Sequence, residues 1–287
     1  MPTSRVKGIF VEKPLTLSLA DLDRLVELQE TNPSVSVQVN YKRNFDPTYD
    51  SIIDFTRRST LETGLGILQG IQAIYGGGVL AVLPHLTGFI DPLFERAVSV
   101  SGVFSPNKNM SNKDDPNVDG TIVYEFPEQD KQVSVSILGM GRNVDSTNMF
   151  PYFWEQNIIG SRGIIEIREE HGWTIEYREM RPSRIHKGEP ITLPYRTGYV
   201  PSEIETHQPM EMIYNGLDNL VDSIEGKAQL KAGIHLARRA EEIAHALRQS
   251  ANQGGQIVSL PLEDRSSGFK TIVAGGAHIR SLVERND

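Results

Sequence analysis

Lys13, Arg43 and His85 are side chains whose types could serve proton chemistry. A lysine amine withdrawn from water holds its proton less tightly and can serve as a base or orient a hydroxyl group. Imidazole titrates near neutrality and can relay a proton. A guanidinium offers a planar set of donors to hydroxyl or carboxylate oxygens. Each residue also has a plainer reading. Lys13 follows an apolar run and could be a surface charge at a strand end. Arg43 could close a salt bridge, and His85 could be a buried or capping imidazole. Nearby, Tyr41 fits either a stacking surface or core packing, and Asp46 reads as a helix cap.

The elements that would carry these residues are legible in part. Val6, Ile9, Phe10 and Val11 form a mostly apolar strand. Ser18 with Asp21 signals a helix start, Leu22, Leu25, Val26 and Leu28 give that helix its apolar side, and Asp21, Asp23 and Glu27 face out. Asn32-Pro33 stops it, and Val35, Val37 and Val39 alternate as a strand. Residues 6–40 therefore predict one βαβ unit. Asp46-Pro47 starts another helix. The stretch 59–78 is rich in glycine and resists assignment. Period-two alternation then predicts strands around Val98/Val100, Ile122/Tyr124/Phe126, Val133/Val135/Ile137, Ile165/Ile167 and Trp173/Ile175/Tyr177, the last two joined as a hairpin through Glu169–Gly172. Polar, proline-bearing loops are expected at 106–119 and 179–208. Two amphipathic helices follow, with Ile213, Leu217, Leu220 and Ile224 on one face of the first. Leu236, Ala240, Ile243 and Leu247 line the second, where Arg238 and Glu242 can pair one turn apart. The pattern predicts an α+β fold with a mostly antiparallel open sheet, its inner face covered by both helices.

Composition narrows the function classes. The chain has 287 residues and a formal net charge of −8, which argues against nonspecific nucleic-acid binding. No stretch reaches the roughly 20 apolar residues of a membrane span, so no membrane partner is expected. The absence of cysteine excludes thiolate metal sites and cysteine catalysis and fits a cytoplasmic protein. No metal-ligand spacing is present: His235 and His245 lie too far apart on one helix to share an ion directly. Gly64-Leu65-Gly66 with Gly70 imitates a dinucleotide fingerprint but has the wrong spacing for G-x-G-x-x-G. Gly-x-Ser-x-Gly is absent, so a serine hydrolase has no support.

Several short motifs, taken in order, resemble the glucose–fructose oxidoreductase / inositol dehydrogenase (Gfo/Idh/MocA) family. Val11-Glu12-Lys13-Pro14-Leu15 is similar to its Glu-Lys-Pro signature. Asn40-Tyr41-Lys42-Arg43-Asn44-Phe45-Asp46-Pro47 is similar to the aromatic-x-Arg-Arg-Phe-Asp-Pro segment after the last nucleotide-domain strand. Gly76-Gly77-Gly78 to His85 looks like the glycine-rich lead to the substrate-site histidine. Asn157–Ile167 resembles the Gly-x-x-Gly strand, and 210–262 the closing helices and last short strand. The family's histidine has an aspartate one turn earlier and another three residues later; here those positions are Ala81 and Gly88, and Asp91 is out of register. Only eleven residues precede Glu12, so most of the glycine-rich nucleotide-binding half is expected to be missing. The segment 59–75, where the family has a sheet strand and a substrate loop, has only seventeen residues.

The resemblance implies NAD or NADP as cofactor and hydride transfer on a sugar, polyol or related hydroxyl or carbonyl substrate. It implies catalytic roles for Lys13 and His85 and substrate contacts from Arg43 and Asn44. It places Glu12, Lys13, Pro14 and Tyr41 on the nicotinamide side, and it implies a homodimer. The expected division is a βαβ remnant of a Rossmann domain at 1–45, a substrate and oligomerisation domain at 46–262, and a tail at 263–287. With its nucleotide half missing, the chain alone is expected to be inactive or very weak. The competing expectation is a non-catalytic binding or regulatory scaffold derived from the same family.

Overall fold

The N-terminal apolar run and the valines after Asn32 pair as parallel strands. In the computed structural model, β1 (Gly8–Val11) lies beside β2 (Ser36–Val39), joined through helix α1 (Leu19–Thr31). The structure describes residues 6–106, 114–126, 131–139, 153–169, 173–179, 191–192, 208–269, 271–274 and 277–280. Ser18 caps α1 by accepting the Asp21 amide at 3.3 Å, and Asn32 ends it. Leu22 and Val26 are buried, whereas Leu28, expected on the same face, is 51% exposed. Asp23, expected to face water, is partly covered and accepts hydrogen bonds from Arg238 and Arg265. A 3-10 turn (Lys42–Phe45) leads into α2 (Pro47–Arg58), whose cap Asp46 accepts the Thr48 amide at 2.8 Å.

The rest of the chain builds an open, nine-stranded sheet in the order β10-β9-β8-β7-β3-β6-β5-β4-β11. Its strands are β3 (Leu68–Gly76), β4 (Arg96–Phe104), β5 (Val118–Phe126), β6 (Lys131–Gly139), β7 (Phe153–Gly160), β8 (Gly163–Glu169), β9 (Trp173–Glu179), β10 (Ile191–Thr192) and β11 (Val258–Ser259). Every pairing in it is antiparallel except β3 with β6. The sheet is thus mostly antiparallel and open, as the alternation predicts. The glycine-rich segment that resists assignment in the sequence supplies a strand: β3 lies between β6 and β7. A register shift between Leu68 and Gly70 breaks its period-two signal. Ile71, Ala73 and Tyr75 still point into the core. Outward positions on β6 are Gln132, Ser134, Ser136 and Leu138, all exposed.

The two closing helices do different jobs. Helix α5 (Ile234–Asn252) lies along β4 and also packs against α1 and the short helix α3 (Leu83–Ile90). Its buried stripe is the expected one, Leu236, Ala240, Ile243 and Leu247. Ser250 secures it to the sheet by accepting the Gly102 amide at 2.9 Å. Helix α4 (Gln208–Ile224) was expected on the same sheet face but packs on β1, β2 and the 3-10 turn. Its buried side is Met212, Gly216 and Leu220, and Leu217 is 37% exposed. Residues 263–269 dock between α1 and α5. Leu19 donates to the Ser267 carbonyl, Phe269 donates to the Leu17 carbonyl, and Arg265 joins Asp23 to Glu242. A hairpin of β12 (Thr271–Ala274) and β13 (Ala277–Arg280) follows. Of the expected loops, 107–113, 180–190 and 193–207 lie outside the described residues; the first loop ends where β5 begins at Val118, and the second contains β10.

Arg239 on α5 grips Asp91 with two donors, at 3.0 Å and 2.6 Å. Asp91 is only 7% exposed, and its carboxyl pKa is raised by burial against the pull of Arg239. Asp91 is therefore committed to α5, which explains why it does not serve His85. Removing the guanidinium strands a buried carboxylate. Arg239→Ala is expected to lower stability by about 2 kcal/mol in urea unfolding, tempered by the partial exposure of the arginine.

Candidate active site

Lys13 sits where β1 hands the chain to α1. Two bonds from Asn40 hold this turn: its amide donates to the Val11 carbonyl at 2.8 Å, and its side chain donates to Glu12 Oε1 at 2.5 Å. Glu12 is thereby tied to the end of β2, with its side chain at the surface. The Lys13–Pro14 peptide is cis. Lys13 itself is partly buried, and its Nζ donates to the carbonyl of Ala81.

Ala81 belongs to the turn that aims α3, and this turn is fixed from the far side by buried polar groups. Asp115, 1% exposed, accepts the amides of Leu80 at 2.8 Å and Ala81 at 2.9 Å. Asn117 accepts the Gly78 amide at 2.9 Å. Gly78 has φ +111°, and a Cβ there would collide with the Asp115 carboxylate. The turn therefore needs glycine both for its backbone and for the approach of the acid. His85 follows in the first turn of α3, 7% exposed, its ring edge-on to Tyr41 at a centroid distance of 5.8 Å. No hydrogen-bond partner reaches its Nδ1 among the described residues.

Arg43 lies in the 3-10 turn, 3% exposed. Its charge acts on both Lys13 and His85. Lys13, Arg43 and His85 thus lie within electrostatic reach of one another, with Lys42 contributing to the same field. Two other expected contacts are fully enclosed. Tyr41 is fully enclosed, and its hydroxyl donates to Glu241 at 3.2 Å, so it is not offered as a stacking surface. Asn44 is fully enclosed too; its side-chain NH2 donates to the Gly88 carbonyl at 3.0 Å, and its Oδ1 meets no hydrogen-bond partner among the described residues. It couples the 3-10 turn to α3. The same packing is close at Gly88: a Cβ there would stand 3.2 Å from Leu236 and 3.5 Å from Tyr41.

Electrostatics divides the roles. Burial lowers the Lys13 pKa to about 8, assisted by the Arg43 and Lys42 charges and opposed by Glu12 and Asp115. About one Lys13 amine in ten is then neutral at pH 7, enough to accept a proton. His85 is held well below the ordinary imidazole range by burial and then by Lys13 and Arg43. It is neutral at pH 7 and suited to hydrogen bonding more than to storing a proton. Asp115 is raised to about 6 by burial, against the amides it accepts and the Lys13 charge. Sequence reasoning missed Asp115 and Glu241, because nothing local marks either as buried beside this cluster.

An open groove of about 720 Å³ lies beyond the C-terminal end of α3, lined by Gln29, Arg57, Asp91, Lys231 and Arg239 among others. It contains none of the expected site residues. Its cations are engaged: Arg239 with Asp91, Lys231 with Asp50 at 2.7 Å, and Arg57 with the Pro92 carbonyl. Among the described residues, no helix is long and apolar enough to cross a membrane.

No protein-family model matches the sequence, and no curated protein matches it either. Solved structures do match in fold. An oxidoreductase from Sinorhizobium meliloti aligns with a TM-score of 0.67 at 12% identity, covering 88% of this chain and 72% of that one. An inositol dehydrogenase homologue from Azotobacter vinelandii, complexed with NADH and myo-inositol, aligns with a TM-score of 0.57 at 16% identity, covering 88% and 71%. An oxidoreductase from Agrobacterium radiobacter, in complex with NAD+, L-tartaric acid and magnesium, aligns with a TM-score of 0.58 at 15% identity, covering 87% and 72%. The chain shares the fold of these oxidoreductases over most of its length.

The Lys13 environment makes a direct prediction. The side-chain resonances of Lys13, identified by their loss in Lys13→Met, are expected to titrate near pH 8. Titration at the 10.5 of an ordinary lysine would show that the amine is not desolvated in solution.

Proposed function

We propose that the Lys13–Arg43–His85 pocket is the proton-transfer side of an NAD(P)-dependent oxidoreductase acting on a sugar, polyol or related hydroxyl or carbonyl compound. The observation that carries this reading is the Lys13 amine, held at the Ala81 carbonyl with its pKa lowered to about 8 beside a neutral histidine and a buried arginine. Lys13 takes the hydroxyl proton as the alcohol is oxidised and returns it in the reverse direction. Neutral His85 holds the same oxygen, and Arg43 binds a neighbouring hydroxyl or carboxylate. The nicotinamide, when bound, supplies the hydride acceptor. Support for the division into a βαβ unit at 1–45 and a substrate domain at 46–262 comes from the parallel β1–β2 pair standing apart from the large sheet. A homodimer through the outer face of that sheet is the matching assembly, with Ser134, Ser136 and Leu138 of β6 on it. Light scattering should then show twice the monomer mass at micromolar concentration, and a uniform monomer would refute the dimer.

The N-termini of α1 and α2 do not fit the pyrophosphate of a dinucleotide. A pyrophosphate needs free backbone donors, usually at a helix N-terminus after a parallel strand. At α1 the Leu19 amide is already donated to Ser267 at 3.1 Å and the Asp21 amide to Ser18. At α2 the cap is Asp46, whose charge repels phosphate. The 287-residue chain is therefore expected to bind NAD and NADP only at millimolar strength, about −4 kcal/mol. The missing carboxylate beside His85 favours the second reading, a scaffold that has kept the fold without the reaction.

Calorimetry with each cofactor, followed by turnover assays at tens of millimolar cofactor over a panel of polyols and hydroxy acids, decides between them. The enzyme reading expects slow turnover that rises with pH through about 8, as Lys13 deprotonates, and falls at least 100-fold in Lys13→Met. Turnover unaffected by that substitution would remove Lys13 from the chemistry. No turnover at any pH would leave the scaffold reading.

A further inference from the structure

Glu241 on α5 is a charged group in a place that packing alone would fill with an apolar one. It is fully buried, and its helix neighbours Ala237 and Ala240 belong to a small apolar cluster with Val39, Tyr41 and Phe45. Burying a carboxylate costs several kcal/mol unless hydrogen bonds and charges offset it. Glu241 recovers only part of that. One oxygen accepts the Leu15 amide at 2.8 Å and the Tyr41 hydroxyl at 3.2 Å, and the next amide of the same turn, Thr16, also favours the charged carboxylate. The two bonded groups are those that hold the site. Leu15 follows Lys13-Pro14 directly, and Tyr41 precedes Lys42-Arg43 and sets its ring edge against His85.

We propose that Glu241 is the positioning residue of the pocket: it clamps the Lys13–Leu15 turn to α5 and, through the Tyr41 hydroxyl and ring, orients His85. It occupies the functional place of the carboxylate that Ala81 and Gly88 cannot supply, at one remove and from a different helix. The inference rests on reading the Lys13–His85 pocket as a substrate site, but the geometry it describes does not depend on turnover.

The groups facing Glu241 are Lys13 from the β1–α1 turn and Tyr41 from the end of β2, with His85 of α3 behind Tyr41. On its own helix, Glu242 is committed to Arg238 and Arg265, and His245 to Ser267. Burial raises the Glu241 pKa to about 7, opposed by the Leu15 amide and the Tyr41 hydroxyl. Protonation therefore falls within an accessible pH range, just below the Lys13 step at about 8.

The test follows the His85 imidazole of the full chain by NMR from pH 5.5 to 9, with the signal assigned by its loss in His85→Gln. Wild type is expected to show a step near pH 7 in the His85 shifts, separate from the Lys13 step. Glu241→Gln keeps an oxygen acceptor and should keep the fold, but it removes the step near 7 and leaves the one near 8. Tyr41→Phe keeps the ring and loses only the hydroxyl link, and it should also abolish the lower step. Circular dichroism and thermal melting establish that each variant is folded. A folded Glu241→Gln that retains the lower step would overturn the proposal. So would a folded Tyr41→Phe that retains it, since the effect would then be through-space charge without positioning. Absence of dehydrogenase turnover would count against the oxidoreductase reading alone.

Discussion

An ammonium group under a backbone carbonyl joins the two parts of this molecule. Lys13 projects from the turn after β1, and Ala81 lies in the turn that launches α3. The contact spans 68 residues of sequence, so neither turn can settle independently of the other. Asp115 makes the receiving side rigid by taking two consecutive amides of that turn, one of them from Ala81 itself. The donor side is held by Asn40 and Glu241. Four elements thus converge on one lysine, and α5 passes behind them, touching the sheet, α1 and α3. The depressed basicity of Lys13 follows from this enclosure, because removing its water costs the charged form more than nearby carboxylates return.

The same enclosure sets opposing pH dependences. Asp115 and Glu241 have folded pKa values near 6 and 7, above their ordinary 3.8 and 4.5. Their contribution to stability is complete below those ordinary values and is lost as pH rises through about 6 and about 7. His245 goes the other way, lowered from 6.5 to about 3 by burial. Its contribution is present above 6.5 and lost as pH falls towards 3, and His85 shares that sign. The two sets oppose one another across the mildly acidic range, so neither alone dictates the pH of greatest stability. Buried carboxylates in excess of what packing needs are a cost to the fold, and they stand against the one cluster where charge has work to do.

What the sequence disclosed depended on how local its cause was. The caps at Ser18 and Asp46 and the alternating strands around Val100, Ile122, Val135 and Ile165 were legible, because a few neighbouring residues determine them. Strand β3 was not, because Gly70 and a register shift interrupt its alternation. Strand β7 carries Gln156 at an inward, fully buried position, which reads as a polar segment. On α4, Gly216 takes a place in the buried stripe, so a search for large apolar residues selected Leu217, which lies partly in water. Lys13, Arg43 and His85 could be named from residue type and motif order. Asp115 and Glu241 could not: Glu241 beside Glu242 looks like a solvated helix face until Leu15, 226 residues away, is folded against it.

That contrast bears on how much function a fold can carry. The likeness to solved oxidoreductases reaches TM-scores of 0.57 to 0.67 at 12 to 16% identity, a level at which the path of the chain persists while most side chains have changed. What the chain retains is selective. The cationic pocket and its buried counter-charges are assembled from five separate segments, an arrangement that local propensity does not produce. The first turns of α1 and α2 are, by contrast, occupied by Ser18, Ser267 and Asp46. A protein that needed only the scaffold would gain stability by replacing Glu241 and Asp115 with apolar or neutral residues. Asp115 and Glu241 instead stand as buried acids around a lysine whose own basicity is depressed by the same enclosure.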